Sequence, residues 1–415
     1  MDQNRFEDRG RIGSGGMGVV HEFFDREMLR PVAVKQAHAS LDPELLARFV
    51  EEAQIMGQLD HPNIVPVHDI ERDPSGRPTR FIMKLVTGTT LEKVVEAEKE
   101  APLSGQRLEE ALRVFLKICD AVSFAHSRGV IHQDLNPRNV MVGSHGQVYV
   151  MDWGLAVIRA QNDRRKPAVV THRLPDRLDL SGSLGGTLAF MAPEQAYGRT
   201  KTIDARTDVF GLGGILYHFL TLRPPHAGDV PAEVLERAKT GRVPPPGDLV
   251  EERRLPAGLC RIAMKALAAD PAGRYQTVDE MRVDVEGFLR GGGWFQTVTF
   301  PRGTLIIREG ERGDVAYIIT EGRCEIYRVA GGEKIPLRRV GPGEVFGEVG
   351  LVTPSPRTAT VEAMTDVTAL LVTRNALEQE ISRNTWMRAF IEAAVERFVE
   401  LDRPGTSGLA GRPPA

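Results

Sequence analysis

Three successive glycines, Gly291-Gly292-Gly293, divide two stretches of chain that obey different periodicities. Before them, residues 205–290 follow the spacing of helices packed on one face. After them, residues 295–373 alternate in the two-residue rhythm of strands and break at Gly-Glu, Gly-Asp, Gly-Gly and Gly-Pro-Gly turns, the pattern of a small β-roll. At 415 residues the chain also exceeds what one hydrophobic core usually holds. Two domains are therefore expected, 1–290 and 295–401, with 291–294 as a permissive hinge and a Pro/Gly-rich, disordered tail at 402–415.

The first stretch is itself mixed. Residues 5–35 read as strands broken by glycines, with further strand-like runs at 63–70 and 80–86. Residues 42–59 read as a helix, because Asp42-Pro43 supplies an N-cap and a proline at the first helical position. A second helix is expected over 108–128, short strands at 139–142 and 147–151, and a terminal helix over 375–401. The class is α+β.

Composition excludes several roles. A net charge of −3 creates no field strong enough to gather nucleic acid or a membrane surface. Cys119, Cys260 and Cys324 are odd in number and scattered, so neither a disulfide framework nor a zinc site is expected, and a reducing cytoplasm fits. No apolar run reaches the length of a membrane span, so direct insertion is not expected.

The chemistry-bearing residues cluster in His132-Gln133-Asp134-Leu135-Asn136-Pro137-Arg138-Asn139, followed by Asp152-Trp153-Gly154. Asp134, Asn139 and Asp152 stand five and then thirteen residues apart. One carboxylate can orient a hydroxyl nucleophile while the other two groups hold Mg2+, which is what phosphoryl transfer from ATP requires. Upstream, Ile12-Gly13-Ser14-Gly15-Gly16-Met17-Gly18-Val19-Val20 lies between two strands. Glycines there let backbone amides approach phosphate, although such a stretch alone reads equally as a flexible hairpin. Lys35 ends the apolar run Val32-Ala33-Val34, where an ammonium needs anionic partners. ATP phosphates and a helix carboxylate qualify; Glu52 is the choice, with Glu51 the competitor on the solvated face.

On these residues, 1 to about 290 resembles a serine/threonine protein kinase of bacterial type. The glycine loop, Lys35, Glu52, His132 to Asn139, Asp152 to Gly154, Gly186-Thr187, Ala192-Pro193-Glu194, Asp208 to Gly213 and Asp270 to Arg274 stand in family order. The resemblance implies a β-rich lobe over about 1–86 and a helical lobe over about 87–290. It implies that Gly13, Gly15 and Gly18 cover the phosphates, that Val20 and Ala33 sandwich adenine, and that Ile12, Ser14, Gly16, Met17, Val19 and Met141 complete the pocket. Lys35 would hold the α/β-phosphates, tethered by Glu52; Lys84 and Val86 would offer backbone groups to adenine. Asp134 would accept the substrate hydroxyl proton, Asn139 and Asp152 would bind Mg2+, and Glu194 would pair with Arg274 as a structural clamp. The partner would be a protein carrying a serine or threonine acceptor.

Three departures from the family matter. Gln133 replaces an arginine that receives an activation-loop phosphate, so control by phosphorylation of Thr171, Ser181, Ser183 or Thr187 is not expected. Thr187 is expected to support Asp134 instead. Trp153 replaces phenylalanine and needs a partner for its indole N–H. Asn136 stands where lysine usually touches the γ-phosphate; Arg138, four residues after Asp134, offers a compensating cation or is a plain surface arginine. The alternative to an active enzyme is a pseudokinase that binds ATP without transferring phosphate.

A second constellation is Phe346-Gly347-Glu348-Val349-Gly350, then Pro356-Arg357-Thr358. A glycine turn presents amides to an anion, an arginine fork binds it, and a glutamate accepts a sugar hydroxyl. Taken alone, Glu348 and Arg357 could merely pair with each other. Residues 295–400 resemble a cyclic-nucleotide-binding domain, which implies that Arg357 takes the cyclic phosphate, Glu348 the ribose 2′-hydroxyl, and Gly347, Val349 and Gly350 supply backbone contacts. Thr358 leans the choice between cAMP and cGMP towards cGMP. Trp386 or Phe390 could stack on the base or simply pack. The rival is a ligand-free docking barrel.

Overall fold

The computed structural model describes residues 5–97, 105–159, 169–171, 187–199, 202–249, 255–289, 296–348 and 356–373. The expected hinge, terminal helix and tail lie outside the described residues. Two compact units divide the chain, the first comprising Met1–Leu255 and Leu259–Leu289 and the second Arg290–Ala415 together with the short segment Pro256–Gly258. The architecture is α+β, as the mixed periodicities predict.

The first unit opens with five antiparallel strands: β1 (Phe6–Gly15), β2 (Gly18–Asp25), β3 (Arg30–Ala37), β4 (Val67–Arg72) and β5 (Pro78–Lys84), in the order β1-β2-β3-β5-β4. Helix α1 (Pro43–Gln58) crosses one face. Asp42 caps it as expected, accepting from Leu45 N at 2.8 Å. Phe49 and Ala53 of α1 pack on Phe81 of β5, with the Phe49 and Phe81 rings 5.0 Å apart. The other face buries Phe6, Val32, Val34 and Ile82. The two expected strands at 63–70 and 80–86 are displaced. Pro66 has no N–H to give a ladder, and its carbonyl instead takes Lys84 N at 3.0 Å, so regular pairing starts at Val67 and ends at Lys84.

The helical part follows: β6 (Gly88–Thr90), α2 (Leu91–Ala97), α3 (Gly105–Ser127), β7 (Val130–Ile131), β8 (Val140–Gly143), β9 (Val148–Val150), β10 (Val157–Ile158), α4 (Pro193–Ala196), α5 (Ala205–Thr221), α6 (Pro231–Thr240), α7 (Pro246–Leu249), α8 (Ala257–Ala266) and α9 (Val278–Leu289). Every residue of α5 from Thr207 to Thr221 is buried, so this helix is the hub rather than a two-faced surface element. Gly211 on α5 lets the loop after β7 come close: a Cβ there would lie 2.9 Å from Leu135 Cβ.

The second unit is a roll of two four-stranded antiparallel sheets. Its strands are β11 (Gln296–Phe300), β12 (Leu305–Ile307), β13 (Val315–Glu321), β14 (Cys324–Ala330), β15 (Glu333–Val340), β16 (Val345–Phe346), β17 (Thr360–Ala363) and β18 (Val367–Thr373). The orders are β11-β18-β13-β16 and β12-β17-β14-β15. Ile307, Ile319, Phe346, Val361 and Val367 fill the space between them.

Candidate functional sites

The sheet and α1 bring Lys35 and Glu52 together. Lys35 Nζ lies 2.7 Å from both Glu52 oxygens, and the two side chains are 13% and 3% exposed. Burial pulls the Lys35 pKa down, but the Glu52 and Asp152 carboxylates more than offset it, so the ammonium titrates above its ordinary value. Glu51 is half-buried and its carboxylate accepts from the Thr171 hydroxyl at 3.0 Å, so it is not simply solvated.

The glycine loop is the tight end of the β1–β2 hairpin, with Gly13 opposite Val20, Ser14 opposite Val19 and Gly15 opposite Gly18. Gly16 and Met17 form the tip. Gly18 is required by sterics, since a Cβ there would lie 2.3 Å from Gln36 O. Open space surrounds Gly15 and Gly16. Met17 folds inward: its Cε would be 2.6 Å from a Cβ on Gly154, beside Asp152 Oδ1 and Glu52 Oε2. Of the other expected pocket residues, Ala33 pairs with Met83, Met141 pairs with Thr90, and Ile12 stands half exposed. Lys84 N is taken by Pro66 O, and its ammonium lies 4.8 Å from the Tyr149 ring centre. Val86 lies just past the sheet edge, half-buried.

The loop from His132 to Asn139 is held from beneath. Asp208, 1% exposed on α5, accepts from His132 N and Gln133 N at 2.8 Å each and faces His126 Nε2 at 2.7 Å. These bonds keep Gln133 in the left-handed region (φ 67), which a side chain would otherwise avoid. Asp152 is likewise left-handed, at φ 58. Two amides grip the Asp134 carboxylate: Asn139 Nδ2 donates to Oδ2 at 2.8 Å and Asn136 Nδ2 donates to Oδ1 at 2.9 Å. Asn136 is 3% exposed and also caps the turn Pro137–Asn139, accepting from Arg138 N at 2.9 Å.

The departures resolve unevenly. Gln133 is buried, donating from Nε2 to Leu155 O at 3.0 Å. Arg138 points to α2: its Nε donates to Glu92 Oε1 at 2.7 Å with the side chain 59% exposed. Among the described residues the Trp153 indole N–H finds no acceptor. The ring is 1% exposed and tilted over His132, 4.5 Å between centres, and that packing leaves Nε1 with no acceptor. Glu194 and Arg274 form the expected clamp, two bonds of 2.8 Å, extended by Thr207 Oγ1 at 2.9 Å. Ser181, Ser183 and the Thr187 side chain lie outside the described residues.

In the second unit a cavity of about 190 Å³ opens between Phe346, Gly347, Glu348, Arg357 and Thr358. Arg357 is 8% exposed; Nη1 donates to Gly347 O and Nη2 to Val315 O, both at 2.7 Å. Its guanidinium passes so close to Gly313 that a Cβ there would lie 2.4 Å from Nη2. Gly347 must be left-handed (φ 79), and a Cβ on it would approach Ile307 Cδ1 to 2.8 Å. Glu348 is exposed at the mouth and makes no ion pair with Arg357, so the two do not neutralise each other. A buried guanidinium on the cavity wall suits an anionic group. Thr358 is exposed and its carbonyl accepts from Arg328 Nε at 2.6 Å. Val349, Gly350, Trp386 and Phe390 lie outside the described residues. The cavity adds Leu337 and Arg338 of β15, which sequence reasoning missed.

A lysine–glutamate pair in the β-rich part and a doubly braced aspartate in the helical part are the kinds of group a phosphotransferase uses. Residues 6–281 match the family described as "Protein kinase domain", and 297–384 match "Cyclic nucleotide-binding domain". The chain belongs to the protein kinase domain family and carries a cyclic-nucleotide-binding domain after it. It is 35% identical over 297 residues to serine/threonine-protein kinase PknD of Protochlamydia amoebophila, covering 68% of this chain and 30% of that one. It is 37% identical over 287 residues to serine/threonine-protein kinase PknB of Mycobacterium tuberculosis, covering 68% and 42%. A probable serine/threonine-protein kinase of Streptomyces coelicolor is 36% identical over 293 residues, covering 69% and 40%. The chain thus spans less than half the length of these relatives. No helix among the described residues is long and apolar enough to cross a membrane.

Proposed function

We propose that this chain is a cytoplasmic kinase that transfers phosphate from ATP to a serine or threonine of a protein substrate, at a rate set by a cyclic nucleotide in the second unit. The observation carrying the first half is the formed Lys35–Glu52 pair, 2.7 Å apart and influenced by Asp152. Lys35 is placed to meet the α/β-phosphates, and Gly13, Gly15 and Gly18 to cover them. Val20 and Ala33 flank adenine, with Ile12, Met141 and the backbone of Lys84 and Val86 at its edges. Asn139 and Asp152 would hold Mg2+, which would supply charge neutralisation at the phosphates. Asp134 accepts the proton of the substrate hydroxyl, its carboxylate preset by two amides. Positioning and charge neutralisation then supply most of the acceleration. Arg138 could compensate for the missing lysine only by releasing Glu92, so we assign the adaptation at this site to Asn136 acting through Asp134. Radiolabelled ATP with a generic acceptor protein, wild type against Asp134→Asn, tests the enzyme reading; equal residual counts would leave a nucleotide-binding switch.

For the second unit, Arg357 takes the cyclic phosphate and Glu348 the ribose 2′-hydroxyl, with Gly347, Val349 and Gly350 giving backbone contacts. Thr358 and Arg338 support cGMP over cAMP. Guanine presents two acceptors, O6 and N7, that match an arginine fork, whereas adenine presents a donor beside its acceptor. Titration calorimetry with both nucleotides and Arg357→Ala tests this; no heat from either would leave a docking barrel. Coupling is tested by kinase rate with and without each nucleotide, and any effect on ATP affinity must be reciprocated.

A further inference from the structure

Helix α1 carries Glu52, and its second half is fastened to two successive residues more than a hundred positions later, Val170 and Thr171. Val169 is 2% exposed and its N–H donates to Arg128 O at 3.3 Å. Val170 gives both its backbone groups to one side chain: Gln58 Nε2 donates to Val170 O at 2.8 Å, and Val170 N donates to Gln58 Oε1 at 3.2 Å. The same Nε2 donates to Gln54 O at 2.8 Å, which holds the amide rigid against its own helix. Thr171 Oγ1 donates to Glu51 Oε1 at 3.0 Å. Gln58 therefore acts as a one-residue strand, completing backbone bonds that otherwise need a neighbouring chain. Glu51 sits next to Glu52, so whatever fixes residues 169–171 also fixes the helix turn that presents the Lys35 partner.

This arrangement answers a problem posed by Gln133. A neutral amide, already donating to Leu155 O, cannot receive a phosphate in place of an arginine. We infer that Gln58, with Glu51 and Thr171, is a phosphate-independent latch: Gln58 is a positioning residue that holds Val170 and Thr171 on α1 and thereby keeps Glu52 on Lys35. The consequence for turnover rests on the kinase reading above; the latch itself does not.

The test uses the full chain without nucleotide. Hydrogen exchange at the Val170 amide should quicken roughly tenfold in Gln58→Ala, the size of one lost hydrogen bond. Thr171→Val should loosen the same stretch and Thr171→Ser should restore it, which a mere volume effect would not do. In the kinetic arm, Gln58→Ala should lower kcat, while wild type stripped of phosphate to zero by intact mass should keep its rate. Unchanged Val170 exchange in Gln58→Ala overturns the latch even if no kinase activity is ever found. Loss of activity on dephosphorylation overturns its independence from phosphate. Altered exchange with no turnover in any variant would keep the latch and reject the kinase reading alone.

Discussion

Replacing Asn136 by alanine takes two donors from Asp134 at once, those to Oδ1 at 2.9 Å and to its backbone oxygen at 3.1 Å. The first is charge-assisted, a class that contributes about 1.5–3 kcal/mol. The cap on the turn Pro137–Asn139 is lost with it, worth about 1 kcal/mol. Asn139 keeps its bond to Oδ2, but Oδ1 loses the Asn136 donor and the carboxylate gains freedom to turn away from the substrate. If about 1.4 kcal/mol of that orientation is lost, kcat falls about tenfold. The ATP KM should hold, because Lys35 and Glu52 are untouched. Asn136→Asp should fare worse, since it sets a second carboxylate against the first. Steady-state kinetics with varied ATP, alongside a thermal melt, measure both effects. A kcat within twofold of wild type, with an unchanged melt, would refute the claim that Asn136 positions Asp134.

Other outcomes follow from buried polar groups. His226 is 1% exposed and burial holds its pKa down to about 4 against an ordinary 6.5, so the unfolded chain binds its proton first and stability falls as pH drops between those values. From this group about 2 kcal/mol should go between pH 6.5 and 5, and His226→Asn should flatten that part of a denaturant series run against pH. Arg274→Met leaves the Glu194 carboxylate buried without its guanidinium, keeping the Thr207 hydroxyl bond, and should destabilise by about 3–5 kcal/mol in urea melts. Trp153→Phe removes an indole N–H that has no acceptor, which offsets the smaller ring; the melting free energy should stay within about 1 kcal/mol of wild type.

Much of the active site was legible because its members lie in short stretches whose order and spacing are themselves the signal. The lysine–glutamate pair was legible too: an ammonium on a buried strand demands an acid, and α1 offered two candidates on adjacent positions. Other features depend on where distant segments land. Nothing near Arg138 announces that Glu92 of α2 will claim it. Gln58 and Val170 meet across 112 positions. Arg338 reaches the cavity only through the placement of the β14–β15 hairpin, a register the alternation alone leaves unset. The capping role of Asn136 was within reach, because an asparagine directly before a proline is a helix-start signal. The orphaned Trp153 N–H could not be foreseen, since it depends on ring tilt.

The buried acid beneath the catalytic loop has a consequence for how such a protein changes over time. Asp208 holds the bend at position 133 through main-chain atoms, so a replacement there that tolerates a left-handed backbone and fills the same buried space should leave the groups around Asp134 in place.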